Sequence, residues 1–186
     1  MKKIYIILTH TGTMLSKIIK CYTRDEFSHV SIALDPQLRK MYSFGRLNPY
    51  NPFWGGFVHE GINIGTFKRF SKTRARVYSL EIDDEKYEKL RCAIFNIKKL
   101  RKYYKFNTLG LFAVGFNIKV RADKSFYCAE FVKYVLEEAN IETMLPDLVK
   151  PEDFKLIKNL KVEYDGLLKF YKLNLLENGE IKCKKI

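Results

Sequence analysis

A cysteine and a histidine that lie far apart in the sequence are the side chains best suited to chemistry. Cys128 lies in the segment 124–132, where an apolar helix is expected to begin, and His29 lies in the segment 27–34, which has the pattern of a strand. A cysteine in the first turn of a helix meets free backbone N–H groups and the positive end of the helix dipole, and both favour the thiolate that attacks carbonyls. A histidine held on a neighbouring strand could complete a thiol–imidazole pair.

The residues that follow His29 indicate which way its side chain faces. Val30 and Ile32 share one side of the predicted strand, which places His29 on the other side with Ser31 and Ala33. That second side is small and polar. It suits an imidazole that faces a site rather than a core.

The other cysteines and histidines argue against a metal site. Cys21, Cys92 and Cys183 form no pair with zinc-ligand spacing, and we interpret them as buried or incidental thiols. His10 follows the first predicted strand and His59 lies on a later one, with no pattern that brings them together around an ion. We therefore expect neither a metal nor a cofactor.

Length and composition indicate one globular domain over residues 1–186. Of these residues, 47% are apolar and 15% aromatic, which is enough to build an ordinary core. The apolar run at 4–8 is too short for a signal peptide and lacks a small-residue cleavage site, and no stretch is long enough to span a membrane. Without a disulfide framework, the expected location is a reducing cytoplasm.

The net charge limits the choice of partners. It is +13, from 34 Lys and Arg against 21 Asp and Glu. Such a balance is compatible with an anionic membrane surface, nucleic acid or an acidic substrate. Most of the basic residues are dispersed, and the chain has no familiar nucleic-acid-binding motif. We therefore expect a largely solvated lysine surface and no nucleic-acid role. An anionic membrane stays open as a partner. Nothing in the sequence fixes an oligomeric state.

Hydrophobic periodicity predicts strands first, then helices, then strands again. The expected strands are 3–8, 29–34, 40–44, 57–67, 75–82 and one or two within 161–184, with turns at Asp165-Gly166 and Asn178-Gly179. The expected helices are 13–22, 83–102, one capped by Ser125 that contains Cys128, and a short one from Pro151. The segment 48–56 is expected to be an aromatic loop, and 106–118 a short buried helix or an irregular core segment. This order indicates an α+β domain around an antiparallel sheet.

Two short motifs resemble a known family. The strand 28–33 (SHVSIA), followed much later by 126–132 (FYCAEFV), is similar to the circularly permuted NlpC/P60 proteins, which are papain-like thiol hydrolases, and most of all to their YiiX/YebB-like group. In these proteins the histidine strand precedes the cysteine helix, the reverse of the order in papain. The resemblance implies a papain-like antiparallel sheet or half-barrel with the nucleophile helix packed against it. It also implies that Cys128 is the nucleophile and His29 the general base.

The same family usually has a third polar residue, often an acid on the strand after the histidine, that orients the imidazole. Here that strand has no carboxylate, and Ser43 is its nearest polar candidate. Glu60 or His59 could reach in from the next strand, and Tyr127, beside the cysteine, could line the site. A hydroxyl would hold an imidazolium more weakly than a carboxylate, so the identity of this residue bears on the strength of catalysis.

The expected function is that of a cysteine-dependent hydrolase or acyltransferase that works through a Cys128 thioester. The resemblance implies peptidoglycan peptides, other amides or acyl lipids as substrates, so amide and ester chemistry, and hydrolysis and transfer, both stay open. The alternative is a catalytically weak or inactive scaffold of the same fold that binds an anionic lipid or another ligand.

Overall fold

The structure is a computed structural model that describes residues 1–12, 25–108, 110 and 123–177. Several predicted features lie outside these residues. They are the helix at 13–22, most of the segment 106–118 and the turn at Asn178-Gly179, together with Cys21 and Cys183.

The described residues contain eight strands and four α-helices. The strands are β1 Lys2–His10, β2 His29–Ala33, β3 Met41–Asn48, β4 Asn51–Glu60, β5 Arg74–Ile82, β6 Lys105–Phe106, β7 Ser125–Phe126 and β8 Lys161–Leu167. The α-helices are α1 Gly65–Arg69, α2 Asp84–Lys99, α3 Cys128–Glu138 and α4 Tyr171–Glu177, and short 3-10 helices span Arg101–Tyr103, Pro151–Leu156 and Leu168–Phe170. In this part of the chain, no helix combines the length and the apolar character needed to cross a membrane.

Six of the strands form one antiparallel sheet in the order β4-β3-β2-β1-β5-β8. The central strand β1 pairs with β5 along its whole length, from Lys2 opposite Ile82 to His10 opposite Arg74. The short strands β6 and β7 pair in parallel as a separate ribbon. The prediction of an α+β domain around an antiparallel sheet is confirmed.

The two faces of the sheet cover separate apolar cores. On one, which we call the α3 face, Ile6 of β1 belongs to the same core as Leu90 of α2 and Phe131 of α3. On the other, the α1 face, Ile7 shares a core with Phe67 of α1. Because alternate residues of β1 face opposite cores, this strand is a nearly continuous apolar run with both sides buried.

The segment 48–56, predicted to be a loop, belongs mostly to a hairpin. Strand β3 continues to Asn48, and β4 begins at Asn51. The turn residues of this segment are tolerated because β4 is the edge strand of the sheet, where a proline interrupts no ladder on its outer side. A glycine is needed where the hairpin meets β6, since a Cβ at Gly55 would lie only 2.5 Å from Phe106 Cγ.

Two further predictions are wrong for a common reason. The strand expected over 57–67 ends at Glu60, and the helix α1 follows. The turn expected at Asp165-Gly166 lies inside β8, where both residues pair with β5, and α4 follows that strand. In both places long-range structure overrides a local signal: Phe67 packs into the core of the α1 face from a helix, and pairing with β5 keeps Asp165 and Gly166 extended.

Candidate active site

Cys128 is the first residue of α3. Tyr127 precedes the helix in an extended conformation and is its N-cap, whereas Ser125, predicted to be the cap, lies in β7. The Glu130 carboxylate accepts hydrogen bonds from the Tyr127 backbone N–H at 3.1 Å and from Asn107 Nδ2 at 3.3 Å. This acid in the first turn replaces the missing Ser125 cap and fixes the start of the helix at the cysteine.

Packing holds this helix against the strand that carries the histidine. The apolar side of α3 includes Phe131, Val132 and Val135, all fully buried, and the helix contacts β2 and β3. Cys128 itself is only 3% exposed. The thiol therefore lies at the positive end of the helix dipole in a largely desolvated position, where that dipole acts with little screening.

His29 is the first residue of β2, and a buried carboxylate holds its ring. Its Nε2 lies 3.0 Å from Glu60 Oε1 and 3.3 Å from Ser31 Oγ. The side chains are 19% exposed for His29 and 9% exposed for Glu60. The Ser31 hydroxyl also donates a short hydrogen bond to the second Glu60 oxygen, Oε2. Glu60 is thus fixed by two partners on β2, although it comes from β4.

Strand β3 lies between β2, which carries His29, and β4, which carries Glu60, and it leaves space for these two side chains to meet. Gly45 of β3 lies beside them: a Cβ at this position would be 3.4 Å from His29 Cε1 and 3.7 Å from Glu60 Oε1. A side chain larger than a methyl group would meet the hydrogen-bonded atoms themselves. The lack of a large side chain at Gly45 therefore leaves room for Glu60 to reach His29 across β3.

The surroundings of His29 favour its charged form. Burial is the largest single influence on its pKa and opposes the charge. The negative charge of Glu60, hydrogen bonds to Cys128 and Glu60, and the charge of Cys128 outweigh burial and raise the pKa from 6.5 to about 10. At neutral pH the ring is therefore an imidazolium between a carboxylate and a thiol. Because Nε2 faces Glu60, the nitrogen left for Cys128 is Nδ1.

Of the residues considered for orienting the histidine, Glu60 is the one beside it. Ser43 is fully buried and donates to the Val30 carbonyl at 2.7 Å, so it supports the sheet. The exposed His59 lies on the strand next to Glu60, with Nε2 2.7 Å from the Arg39 carbonyl oxygen and its ring stacked on a tyrosine. The hydrogen bonds of both side chains go to backbone carbonyls rather than to His29.

Tyr127 lies beside Cys128 in sequence but faces the interior. It is 1% exposed, and its hydroxyl donates to the Val149 carbonyl at 2.9 Å. Burial first, and then the nearby charges of Glu130 and Cys128, raise the pKa of its phenol. Its hydroxyl is therefore engaged in the interior, and the side chain anchors the residue that precedes Cys128.

Ser31 is not among the site residues predicted from the sequence, although it bonds both His29 and Glu60. The available signal was strand alternation, which placed Ser31 on the same side as His29. Within the described residues, no group of three or more His, Cys, Asp or Glu side chains is arranged to hold a metal ion. No family model matches the chain, and no curated protein is significantly similar to it.

Proposed function

We propose that this chain is a cysteine-dependent hydrolase or acyltransferase with a papain-like fold of the circularly permuted NlpC/P60 type. Cys128, His29 and Glu60 are its catalytic group. The observation that carries the proposal is the imidazole of His29, which lies 3.0 Å from a buried carboxylate, Glu60, and whose pKa is raised by both Glu60 and Cys128. A nucleophile, a base and a carboxylate that orients the base are the parts that thiol acyl chemistry requires.

The first half of the reaction forms a thioester. The Cys128 thiolate attacks the carbonyl carbon of an amide or ester, and the carbon–sulfur bond forms as the carbonyl oxygen becomes an oxyanion. The backbone N–H of Cys128 has no acceptor within its own helix, since it is in the first turn of α3, and can donate to that oxyanion. The His29 imidazolium gives its proton to the leaving nitrogen or oxygen as the old bond breaks.

The second half depends on a change in the pKa of His29. In the thioester, sulfur carries no charge and accepts no imidazolium hydrogen bond, so two of the influences that raise the pKa are lost. The pKa of His29 therefore falls, and the neutral ring can take a proton from water or from an acceptor hydroxyl or amine. Attack of that oxygen or nitrogen on the thioester releases the acyl product and restores the Cys128 thiolate.

The substrate class that fits this site is a peptide-like amide or an acyl ester, and the acceptor is water or a second substrate. The nucleophile must stay reduced to work, which a cytoplasmic location would ensure. Glu60 acts throughout on His29 alone: its charge stabilises the imidazolium, and its hydrogen bond to Nε2 directs Nδ1 toward the thiol.

Direct detection of the acyl-enzyme tests this proposal. The protein is mixed with p-nitrophenyl acetate, p-nitrophenyl octanoate or an N-acetyl amino acid p-nitroanilide, quenched in acid and analysed by intact mass and peptide mapping. We expect one acyl group on Cys128 that hydroxylamine removes. Cys128→Ala should abolish the adduct, and Cys92→Ala, which removes an exposed thiol on α2, should leave it unchanged.

Acylation of Cys92 in preference to Cys128, or an adduct that survives Cys128→Ala, would contradict the proposal. An unmodified protein with all three reagents would also contradict it and would favour the binding scaffold. If Cys128 is acylated, the ratio of the acylation rates with the esters and with the anilide shows which bond the site prefers.

A further inference from the structure

Four large apolar side chains at the β4 edge of the sheet are exposed to solvent. They belong to the β3–β4 hairpin and to the start of α1, and each is between 48% and 77% exposed. We call them the hairpin patch: Leu47, Tyr50, Trp54 and Ile64. A folded protein rarely exposes a group of large apolar side chains unless that surface binds something.

Contacts between the hairpin and α1 bring the members of the hairpin patch together. Leu47 and Ile64 line the same cavity, which lies between the two elements and has a volume of about 160 Å³. Trp54 lies in the irregular part of β4 that is opposite Leu47. The guanidinium carbon of Arg69, in α1, is 3.8 Å from the centroid of the Tyr50 ring. The patch is therefore one surface built from two elements.

The segment that carries the hairpin patch is basic. Residues 40–73 include five Lys and Arg and a single acid, Glu60, whose side chain is only 9% exposed. Lys68 and Arg69 end α1, and both are exposed. The Lys68 N–H donates to the Ile64 carbonyl at 3.3 Å, one helical turn away, so these two side chains lie on the same side of the helix. The charge that this segment exposes is therefore positive.

Exposed Trp and Tyr side chains beside Lys and Arg are typical of surfaces that lie in the headgroup region of a bilayer. An indole or a phenol has an apolar body and one polar group, so it is stable where hydrocarbon meets water. Lys and Arg are attracted to the negative potential of a leaflet that contains anionic lipids. Tyr50, the most exposed of the four, lies at the turn of the hairpin, where it would meet a flat surface first.

We propose that the hairpin patch docks this protein on a bilayer that contains anionic lipids. The four apolar side chains enter the headgroup region, and Lys68 and Arg69 stay at its surface, close to the lipid phosphates. The net charge of +13 attracts the whole molecule to such a bilayer, and the hairpin patch determines which side of the molecule faces it. Docking needs no reaction at Cys128, so it goes beyond the proposed acyl chemistry and does not depend on it.

Trp54 is the single tryptophan of the chain, so intrinsic tryptophan fluorescence reports on the hairpin patch alone. The full chain is titrated with vesicles of phosphatidylcholine and phosphatidylserine, and with vesicles of phosphatidylcholine only as the uncharged reference. With the anionic vesicles we expect the emission to shift to shorter wavelength and to be quenched by brominated acyl chains, because the indole leaves water. Added salt should weaken the binding, since it screens exposed charges. The uncharged vesicles should produce no shift.

Cosedimentation with the anionic vesicles measures the affinity of variants, each checked for folding by circular dichroism. Trp54→Ser should weaken the binding about tenfold, because a large aromatic side chain no longer leaves water. Lys68→Gln should weaken it about fivefold, the effect of one basic residue near a charged leaflet.

Phe95→Ser and Lys99→Gln are the matched controls. Phe95 is also a strongly exposed aromatic residue, and Lys99 is also an exposed lysine in the last turn of a helix. Both lie on α2, which packs on the α3 face of the sheet, whereas α1 packs on the other face. These two variants should bind the vesicles as tightly as the parent.

Several outcomes would overturn the proposal. One is that the protein does not bind the anionic vesicles, or binds the uncharged ones as tightly. Another is that it binds while the Trp54 emission stays unchanged, since a different surface then makes the contact. A third is that Phe95→Ser or Lys99→Gln loses as much affinity as the variant it matches.

Sedimentation velocity without vesicles tests the other occupant of the surface, a second copy of this chain. If the protein binds no vesicle but associates with itself, and Trp54→Ser abolishes the association, the hairpin patch is a dimer interface and the membrane proposal is wrong. None of these measurements uses the thiol of Cys128. The acyl-enzyme experiment and the vesicle experiment can therefore fail independently.

Discussion

Cys128 and Cys92 lie on neighbouring helices and differ in almost every property that governs reactivity. Cys92 is exposed and lies well inside α2, whereas Cys128 is buried and begins α3. Accessibility alone would make Cys92 the more reactive thiol. Position on the helix and the adjacent imidazolium of His29 favour Cys128 instead. Electrostatic surroundings, rather than exposure, therefore define the candidate nucleophile.

The beginnings of the two helices show the same difference. The positive end of α2 is occupied by acids: Asp83 is its N-cap and accepts from the Lys86 backbone N–H at 2.7 Å, and Asp84 and Glu85 fill the first turn. These groups stabilise the start of the helix. At the start of α3 the first position is given to a thiol, and Glu130 supplies the capping interaction from the third position.

The rate of alkylation by iodoacetamide as a function of pH tests this comparison most directly. At pH 6 we expect Cys128 to react about a hundredfold faster than Cys92, because the start of α3 and the nearby His29 favour a thiolate at Cys128, whereas Cys92 lies inside α2. Replacement of the imidazolium by an uncharged amide, in His29→Gln, should bring Cys128 to the rate of Cys92 or below it. Peptide mass spectrometry follows each cysteine separately in one sample.

Glu81→Gln is a suitable control, because it removes an exposed carboxylate that pairs with Lys161 on β8, at a distance of 3.5 Å. It should leave both rates unchanged. If Cys92 reacts faster than Cys128 at every pH in the wild-type protein, exposure governs reactivity after all, and the catalytic interpretation of His29 is wrong.

The sequence was sufficient to identify two residues of the candidate site, Cys128 and His29. Cys128 and His29 stand out because each residue type occurs at a position that gives it a specific environment, the first turn of a helix and the polar side of a strand. The antiparallel α+β architecture also followed, since β1, β2 and β5 have long apolar patterns.

The group that orients the histidine could not be identified in the same way. Strand alternation says that Glu60 and His59 face opposite sides, but not which side holds the site. That depends on the register of β4, in which Glu60 lies opposite Met41 of the α1 face and His59 opposite Tyr42 of the α3 face. Register is a long-range property fixed by packing, so no local pattern could choose between them.

The charged groups beside the two helix starts contribute to stability in opposite pH ranges, so the pH dependence of stability distinguishes them. The pKa of His29 is raised from 6.5 to about 10, so its contribution to the free energy of unfolding is complete below pH 6.5 and is lost as the pH rises through about 10. The pKa of Asp83 is lowered, chiefly by the hydrogen bond from the Lys86 backbone N–H. The contribution of this carboxylate to the free energy of unfolding is therefore present above its ordinary pKa and is lost in acid.

Urea unfolding between pH 3 and pH 10, in the presence of a reductant, measures both contributions. In Glu60→Gln, which removes the charge that sustains the imidazolium, the loss of stability above neutral pH should shrink by an amount on the order of a few kcal/mol. Asp83→Asn should alter only the acid side. An unchanged alkaline profile in Glu60→Gln would mean that His29 is neutral in the folded protein, and the thiolate–imidazolium pair would then have no support.

The smallest expected effect concerns Ser31, which acts on the thiol only through two other groups. Its hydroxyl donates to Glu60 Oε2 and lies 3.3 Å from His29 Nε2, so Ser31→Ala leaves one oxygen of a buried carboxylate without its donor. We expect the alkylation of Cys128 at pH 6 to slow by about three- to tenfold, the equivalent of one net hydrogen bond. Rescue by Ser31→Thr, which restores a hydroxyl, would separate this effect from packing.

Ser79→Ala distinguishes a positioning role from a loss of stability. Ser79 is another buried serine that donates a short hydrogen bond to a glutamate, Glu163, but it lies on β5, which β1 separates from the strand of His29. Both alanine variants should lower the free energy of unfolding by similar amounts, and only Ser31→Ala should slow Cys128. If the two variants slow it equally, the reactivity of the thiol follows the general rigidity of the sheet. A selective effect instead means that the hold on the imidazole extends through Glu60 to Ser31, so that reactivity at the start of α3 depends on groups carried by two separate strands.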